Sequence, residues 1–386
     1  MQSQFAERRP SKPEQTGQGV AATADPRTRL EDAITALLPA PQSPLHEVAH
    51  FHFSRFGKLL RGRTALAVAA AVGLDDARAL HWALAVELMH NASLVHDDIC
   101  DRDEQRRHRS TIFSAFGTPL AICFGDWLVA RSFEAATAAV ADGQGGAAFA
   151  ALAAAMRRLS EGQAAEFTGA PVLTWQTYDQ VVGEKTAPLI LAPIEGPLML
   201  AGADRHLAPV RRAIHALGLA YQMSNDMLDV LGKDGGAAAY NDLRRRAPNA
   251  VSVSFRSLLV NGHRAAFDAW MSSPAGDDIE PWAEQIAATG ALEICAQRLQ
   301  EQLDICRREC ADLPDGLRAA LSPLVSYLEK ATAATPARAA GAEGAGIKWL
   351  RAPTAPGWPQ RRAVSSSAVV LVAWRRRSAA VPWATM

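Results

Sequence analysis

The chain has 386 residues, of which 49% are hydrophobic, and this composition supports a buried core and excludes wholesale disorder. Lysine plus arginine balance aspartate plus glutamate at 40 each, so the charge gives no argument for binding nucleic acid or a polybasic membrane surface. The five scattered cysteines favour reduced thiols and a cytoplasmic protein over a disulfide framework. The first 26 residues lack the apolar region of a signal peptide, and we expect no membrane span.

The predicted elements are all helices. Residues 1–26 are rich in Gln, Ser, Pro and Gly, and we predict a disordered leader there. From residue 27 onward, stretches rich in Ala and Leu carry apolar residues at helical spacing, and no period-2 pattern competes with them. The predicted helices cover, in chain order, residues 30–38, 57–72, 75–101, 119–140, 147–167, 184–201 and 209–231. Residues 27–333 are therefore predicted to form one all-α domain, with 334–386 as an irregular tail outside the fold.

Two acidic motifs lie far apart on this helical chain. The first spans Asp97 to Asp101 and reads DDICD, and the second spans Asn225 to Asp229 and reads NDMLD. In a helix, Asp97 and Asp101 lie one turn apart on the same side, and so do Asp226 and Asp229. Two such faces, brought opposite each other, would offer the oxygen ligands of a Mg²⁺ site shared with substrate phosphates. Either motif alone is more often a solvated helix face.

Groups suited to binding a diphosphate surround these motifs. Lys58 and Arg61 share a face if a helix begins there, and Gly57 allows the backbone to approach an anion. His90 lies two helical turns before Asp97 on the same face. The other candidates are an arginine pair, a lysine with a neighbouring hydroxyl, and an amide one turn before the second motif, namely Arg106, Arg107, Lys185, Thr186 and Gln222.

The order of these elements resembles the trans-isoprenyl diphosphate synthases, the polyprenyl synthetase family, from about residue 45 to residue 243 and more loosely to residue 333. The family's first aspartate-rich motif matches Asp97 to Asp101 without insertion, and Tyr221 to Asp226 is similar to its second motif. Partial matches fall on Gly57, Lys58 and Arg61, on His90, on Arg106, Arg107 and Thr111, on Phe124 to Trp127, on Gly162 and Gln163, and on Lys185 to Ala187.

This resemblance implies an antiparallel helical bundle around a central cavity, a homodimer, and Mg²⁺ as the cofactor. The implied reaction is head-to-tail condensation of isopentenyl diphosphate with dimethylallyl, geranyl or farnesyl diphosphate. The implied metal ligands are Asp97 and Asp101, supported by Asp98, together with Asn225 and Asp229. The implied ligands of isopentenyl diphosphate are Lys58, Arg61, His90 and Arg107. The implied ligands of the allylic diphosphate are Arg106, Lys185 and Lys233. Thr186 and Gln222 are implied to line the reaction centre, and Asp226 is implied to be one of the catalytic residues.

The sequence departs from the family pattern at four places. Asn225 stands where a metal-binding aspartate is usual, and Leu59 replaces an arginine. The spacing after the second motif is unusual around Lys233, and residues 246–250 replace a Lys-x-Thr-Leu-Pro stretch. We expect the second motif to bind metal less strongly, because an amide oxygen lacks the charge of a carboxylate.

The product length is predicted from side chains about one turn before Asp97. In short-chain members of the family, a bulky aromatic residue there floors the pocket, whereas Ala92 and Ser93 are small. Met89, another turn away, is the predicted floor. We therefore expect geranylgeranyl diphosphate, with twenty carbons, as the product.

Two other functions stay open on the sequence alone. Class I terpene cyclases share the chemistry, and their second motif begins with asparagine, as at Asn225. A cyclase has no second diphosphate to bind, which argues against it here because Lys58, Arg61 and His90 suggest a second anion site. A non-catalytic subunit that regulates a prenyl synthase is favoured by Asn225 and disfavoured by the complete first motif.

Overall fold

The computed structural model describes residues 25–106, 109–140, 145–168, 174–185, 187–232, 239–247 and 249–333. The predicted leader, apart from its last two residues, and the predicted tail lie outside these ranges, so both stay predictions. The helices are α1 (Pro26–Leu37), α2 (His46–Phe53), α3 (Leu60–Ala71), α4 (Asp76–Asp101), α5 (Ile112–Ala139), α6 (Gly146–Thr168), α7 (Trp175–Lys185), α8 (Ala187–Leu200), α9 (Leu207–Val230), α10 (Asn241–Arg245), α11 (Ala250–Leu258), α12 (Asn261–Met271), α13 (Glu280–Ala288), α14 (Ala291–Ala311) and α15 (Asp315–Ala333).

A short antiparallel hairpin is the sheet structure found in the described ranges. Its strands are β1 (Gln105–Arg106) and β2 (Arg109–Ser110), with Arg106 paired to Arg109. Thr111 fixes the exit of the hairpin, because its hydroxyl donates to the carbonyl of Asp103 at 2.7 Å and accepts the N–H of Ser114 at 3.1 Å. The same hydroxyl is thus the N-cap of α5. The prediction of an all-α fold is confirmed, with this hairpin as a small addition.

Two apolar clusters hold the helices together. One is built around α4, which packs along α3 and α5. The other is built around α9, which packs along α14. Helix α8 contacts α3, α6 and α9, and α15 lies against α3 and α9. The space between α3, α4, α8 and α15 is where the cavity described below is found.

Three helix boundaries illustrate local chemistry. Asp75 caps α4 by accepting the N–H groups of Ala77 and Arg78. The predicted helix at 57–72 begins only at Leu60, because Leu59 adopts a left-handed conformation with φ of 47°. The helix predicted at 119–140 begins earlier, at Ile112, and is broken at Gly117, whose φ of 81° suits glycine.

Helix α5 is the element to compare with the expectation of no membrane span. Among the described residues, it is the helix long and apolar enough to cross a membrane by length and composition. The sequence analysis divided this run because Gly117 and Pro119 interrupt it, and the helix is broken at Gly117. A core helix of a soluble protein passes the same test, and α5 packs along α4.

Candidate active site

Two adjoining cavities of about 370 and 280 Å³ lie against the face of α4 that precedes the first acidic motif. They share the lining residues Leu60, Arg61, His90, Leu94, Arg106 and Tyr327, so we treat them as one site cavity with two lobes. Lys58 lines the larger lobe, and Asp97 lines the smaller one. Lys58, Arg61, His90 and Arg106 therefore lie around the same space as Asp97 and Asp98.

Lys58 and Arg61 reach the cavity by a different route from the predicted one. They do not share a helix face, because Lys58 precedes α3 while Arg61 lies in its first turn. The Lys58 ammonium lies 4.1 Å from the ring centroid of Tyr327 on α15, a cation–π contact. Arg61 donates from Nε to the carbonyl of Leu189 at 3.1 Å. That carbonyl is available because Pro193, four residues on, has no N–H to bond it within α8.

Asp98 and Arg106 form the best-defined ion pair at the cavity. Arg106 donates from Nε to Oδ1 of Asp98 at 2.6 Å, and the Asp98 side chain is only 8% exposed. Burial raises the pKa of Asp98, and the neighbouring Arg106 guanidinium acts in the opposite direction. Asp98 thus orients the arginine that lines both lobes, and its predicted support of the metal ligands stays a prediction.

Glu87 is a cavity residue that the sequence analysis missed. It lies on α4, three residues before His90, is 4% exposed and accepts the N–H of Gly62 at 2.8 Å. Burial raises the pKa of Glu87, and the Gly62 hydrogen bond and the Arg61 charge oppose that rise. Helix α3 has no side-chain cap of its own at Leu59, so the Glu87 carboxylate supplies the missing acceptor from α4.

In the second acidic motif, the side chain of Asp226 is buried in the protein interior. Asp226 is 2% exposed, and its carboxylate accepts from the Tyr178 hydroxyl, the Gln222 amide and the Ala250 N–H at 2.7–2.8 Å. Burial, together with the charge of Asp242, raises the pKa of Asp226 to about 7, while these hydrogen bonds lower it. The predicted Gln222 therefore serves Asp226 directly.

Asp229 is likewise occupied by the backbone of α10. Its two carboxylate oxygens accept the N–H groups of Asn241 at 2.9 Å and Asp242 at 3.3 Å. Asn225 is half-buried. Across the described ranges, no group of three His, Cys, Asp or Glu side chains lies close enough together to hold a metal ion, and the two-sided carboxylate site stays a prediction. Asp97 and Asp101, both half-buried and one turn apart, are the donor set that fits Mg²⁺, which takes one or two carboxylates plus phosphate oxygens.

The predicted floor residues divide between two faces of α4. Ser93 lines the smaller lobe, and its hydroxyl donates to the carbonyl of His90. Ala92 and Met89 are 0% exposed and lie on the stripe between Ala85 and His96. Both ends of that stripe contact α5, through Ser132 at Ala85 and Asp126 at His96. Ala92 and Met89 therefore lie on the side of α4 that is turned towards α5, and their role as floor residues stays a prediction.

Four predicted site residues are not described in full. Arg107, Thr186 and Lys233 lie outside the described residues, and Lys185 is described only as the last residue of α7. Conversely, Tyr327 on α15 and Gln163 on α6 line the smaller lobe. The amide of Gln163 is buried without a protein partner. The sequence analysis pointed to Gln163 only through the motif match at Gly162 and Gln163. It found no motif near Tyr327.

Comparison with known proteins identifies the family. The family model described as polyprenyl synthetase matches residues 42–260, which is more than half of the chain. This chain belongs to the polyprenyl synthetase family. It is 32% identical over 290 residues to a (2E,6E)-farnesyl diphosphate synthase of Mycobacterium tuberculosis, covering 70% of this chain and 79% of that one. It is 35% identical over 280 residues to a geranylgeranyl diphosphate synthase of Saccharolobus solfataricus, covering 69% and 84%.

A solved structure supports the same family assignment. The decaprenyl diphosphate synthase from Rhodobacter capsulatus superposes with a TM-score of 0.70 at 28% identity, covering 79% of this polyprenyl synthetase and 95% of that chain. These relatives support trans-prenyl diphosphate synthase activity, for which the family's substrates are isopentenyl and allylic diphosphates. Their names span farnesyl to decaprenyl products, so family membership alone leaves the product length open.

Proposed function

We propose that this polyprenyl synthetase condenses isopentenyl diphosphate with an allylic diphosphate and releases geranylgeranyl diphosphate. The observation that carries the proposal is the two-lobed cavity, where Lys58, Arg61, His90 and Arg106 gather beside Asp97. A single diphosphate does not need so many cationic groups spread over two lobes. Two diphosphates, one in each lobe, make use of them all.

We assign a role in the reaction to each group of cavity residues. Lys58, Arg61 and His90 line the larger lobe and bind isopentenyl diphosphate. Arg106, oriented by Asp98, neutralises the departing diphosphate of the allylic substrate. The apolar side chains Leu159, Leu189 and Ile190 line the smaller lobe and exclude the water that would quench an allylic cation. The double bond of isopentenyl diphosphate then attacks that cation, and a proton is lost.

We propose that Asp97 and Asp101 hold magnesium, with Asn225 and Asp229 as the predicted ligands on the opposite side. Bound there, magnesium supplies positive charge to the diphosphate leaving group. The proposed role of Asp229 requires its oxygens to exchange two backbone N–H groups of α10 for metal, whereas Asp101 exchanges a partly exposed ion pair with Arg245. The first motif is therefore the primary metal site in this proposal.

The proposed twenty-carbon product rests on Ser93. Its small side chain leaves the smaller lobe open where α4 passes it, next to the apolar side chains of α6 and α8. A bulky residue at this position would shorten the space for the tail.

We also propose a cytoplasmic homodimer. Five free cysteines suit a reducing compartment. The outer side of α5 exposes Ala115, Pro119, Ile122 and Ala130, and Ile122 is 45% exposed. A second copy of the chain would remove this apolar stripe from water.

One incubation tests the proposed function. The purified protein is mixed with isopentenyl diphosphate, farnesyl diphosphate and Mg²⁺, and the products are separated by chain length. A twenty-carbon diphosphate is the expected result. A cyclic hydrocarbon would instead favour the cyclase alternative suggested by Asn225, and no product with the protein alone would favour a regulatory subunit.

Asp97→Ala is the matched variant for this assay. It should lower turnover by about 10²–10³-fold, because the leaving diphosphate loses metal-borne charge. The control is Asp32→Ala, since Asp32 is an exposed aspartate on α1. Near-normal turnover of Asp97→Ala would refute its metal role.

A further inference from the structure

An arginine that belongs to none of the matched motifs joins the two acidic segments. Arg245, the last residue of α10, donates from Nη2 to the backbone carbonyl of Asp101 at 3.3 Å. Its Nη1 lies 3.7 Å from Oδ1 of the same aspartate. The contact connects positions 144 residues apart in the chain. It places a guanidinium beside the carboxylate that closes the first acidic motif.

Helix α10 is held in this place by the second acidic motif. The two oxygens of Asp229 accept the N–H groups of Asn241 and Asp242, which are the first residues of α10. The Tyr240 N–H also donates to the carbonyl of Asp229 at 2.9 Å. The second motif therefore anchors one end of α10, and the other end presents Arg245 to the first motif.

The neighbouring arginines point elsewhere. Arg244 donates to the carbonyl of Ala239 and pairs with Asp277 at 3.4 Å. Arg246 stacks its guanidinium 3.7 Å from the Trp270 ring centroid and pairs with Asp278. Among the arginines of residues 244–246, Arg245 is the one that contacts the acidic motif. This division gives Arg245 a role that its sequence neighbours do not share.

The ion pair between Arg245 and Asp101 can be replaced by other contacts at little cost in stability. The side chains of Arg245 and Asp101 are 44% and 27% exposed, and ion pairs exposed to this degree contribute little to stability. A cation bound by Asp101 repels the guanidinium from the carboxylate. Because the Tyr240 N–H donates to the backbone carbonyl of Asp229 and not to its carboxylate, α10 would keep this anchor when metal binds, and the displaced guanidinium would stay near a diphosphate held there. A planar guanidinium can then bind two phosphate oxygens at once.

We propose that Arg245 is a diphosphate-binding residue that rests on Asp101 and transfers to the allylic diphosphate when substrate and metal bind. This inference rests on the proposed function. It assigns a phosphate ligand to α10, a segment where the sequence departs from the family pattern. Arg245 also makes the second motif contribute to substrate binding through α10, even though Asn225 carries no charge.

The test measures binding rather than turnover. The probe is farnesyl thiolodiphosphate, in which sulfur replaces the bridging oxygen so that the substrate does not ionise, titrated calorimetrically in the presence of Mg²⁺. Arg245→Ala should bind this probe about 10- to 100-fold more weakly, as expected for a lost hydrogen bond to a charged group. Arg245→Lys should recover part of the affinity, because it restores the charge without the planar fork.

Two controls make the result specific. Arg244→Ala removes the adjacent arginine and should bind the probe as the wild type does. Isopentenyl diphosphate, titrated alone, should bind all variants equally, because Lys58, Arg61 and His90 form its subsite. The melting temperature of Arg245→Ala should match that of the wild type, since the pair with Asp101 is partly exposed.

The outcomes separate this inference from the proposed function. If the wild type binds the probe and Arg245→Ala binds it equally well, the role of Arg245 is refuted. An equal loss in Arg244→Ala, or a loss of isopentenyl diphosphate binding in Arg245→Ala, shows a structural role for α10 and also refutes it. If the wild type binds neither probe, the proposed function itself fails.

Discussion

At the scale of single residues, Ser93 offers the sharpest test of product length. It lines the smaller lobe of the cavity, whereas its neighbour Ala92 is buried on the face towards α5. Ser93→Phe should shorten the product from twenty to fifteen carbons, because an aromatic ring would fill the lobe beside the tail. Chain-length analysis of the products, at equal conversion, measures this change.

Ala92→Phe is the matched control, since it introduces the same ring one position away. It is expected to destabilise the protein by about 1–3 kcal/mol through overpacking against α5, without a selective change in product length. If Ala92→Phe shortens the product while Ser93→Phe does not, the placement of Ser93 at the tail is wrong.

The ion pair between Arg106 and Asp98 predicts a pH-dependent loss of stability. Burial already raises the pKa of Asp98 in the folded protein, and Arg106→Ala removes a group that opposes this rise. A folded-state pKa above the unfolded value favours folding below the unfolded pKa and loses that contribution as the pH rises. Arg106→Ala should therefore cost about 1–3 kcal/mol at neutral pH and less near pH 4, where Asp98 becomes neutral.

Urea unfolding of the wild type and Arg106→Ala at pH 7 and near pH 4 measures this difference. Arg131→Ala is a suitable control, because Arg131 forms an ion pair with Glu134 within α5, away from the cavity. If Arg106→Ala lowers the free energy of unfolding equally at both pH values, the effect does not come from the charge of the buried Asp98 carboxylate.

At the scale of elements, the start of α3 depends on a residue of α4. Glu87 accepts the N–H of Gly62, and Lys58 and Arg61 flank this point on the cavity wall. Glu87→Ala should destabilise the protein by about 1–2 kcal/mol, as for the loss of a helix cap, and raise the KM for isopentenyl diphosphate. Its effect on the KM for the allylic substrate should be smaller, because Arg106 is held separately by Asp98.

Glu87→Gln distinguishes this positioning role from simple loss of packing. The amide oxygen can still accept the Gly62 N–H, so both the free energy of unfolding and the KM should move back towards the wild-type values. If Glu87→Ala raises the KM values for both substrates equally, and Glu87→Gln raises them by the same amount, Glu87 does not selectively position the basic residues Lys58 and Arg61.

At the scale of the whole molecule, local sequence patterns predicted the helices and the first acidic motif, because both depend on spacing within one element. Asp97 and His90 share a face of α4 for that reason and line the same cavity lobe. Contacts between distant elements were not predictable in this way. Tyr327 reaches Lys58, Arg245 reaches Asp101, and Glu87 caps α3 only because helices that are remote in sequence pack together.

The same limit applies to the choice between neighbouring faces of α4. Spacing placed Ala92 and Ser93 together, but tertiary packing decides which of the two meets α5. Pro193 gave a local signal that could have been used, since a proline in a helix frees the carbonyl four residues earlier. That freed carbonyl, on Leu189, is the one that accepts from Arg61.

The proposed homodimer gives a prediction for the assembled molecule. Helix α5 packs along α4, which carries Asp97, and turns a stripe of apolar and small residues outwards. A stable interface buries about 800 Å² on each partner, and a lysine at its centre would bring a charge into an apolar contact. Ile122→Lys should therefore convert the dimer into monomers, which light scattering coupled to gel filtration would measure.

Val260→Lys is the matched control for this experiment. Val260 is 58% exposed, more than Ile122, but it precedes α12 rather than lying on α5. Both positions therefore expose a large apolar side chain, but only the variant on α5 should lower the molecular mass of the protein in solution. Because α5 supports the helix that carries Asp97, the Ile122→Lys monomer should also turn over more slowly. A monomeric wild type, or a dimer that tolerates Ile122→Lys, would show that this face of α5 is not the interface.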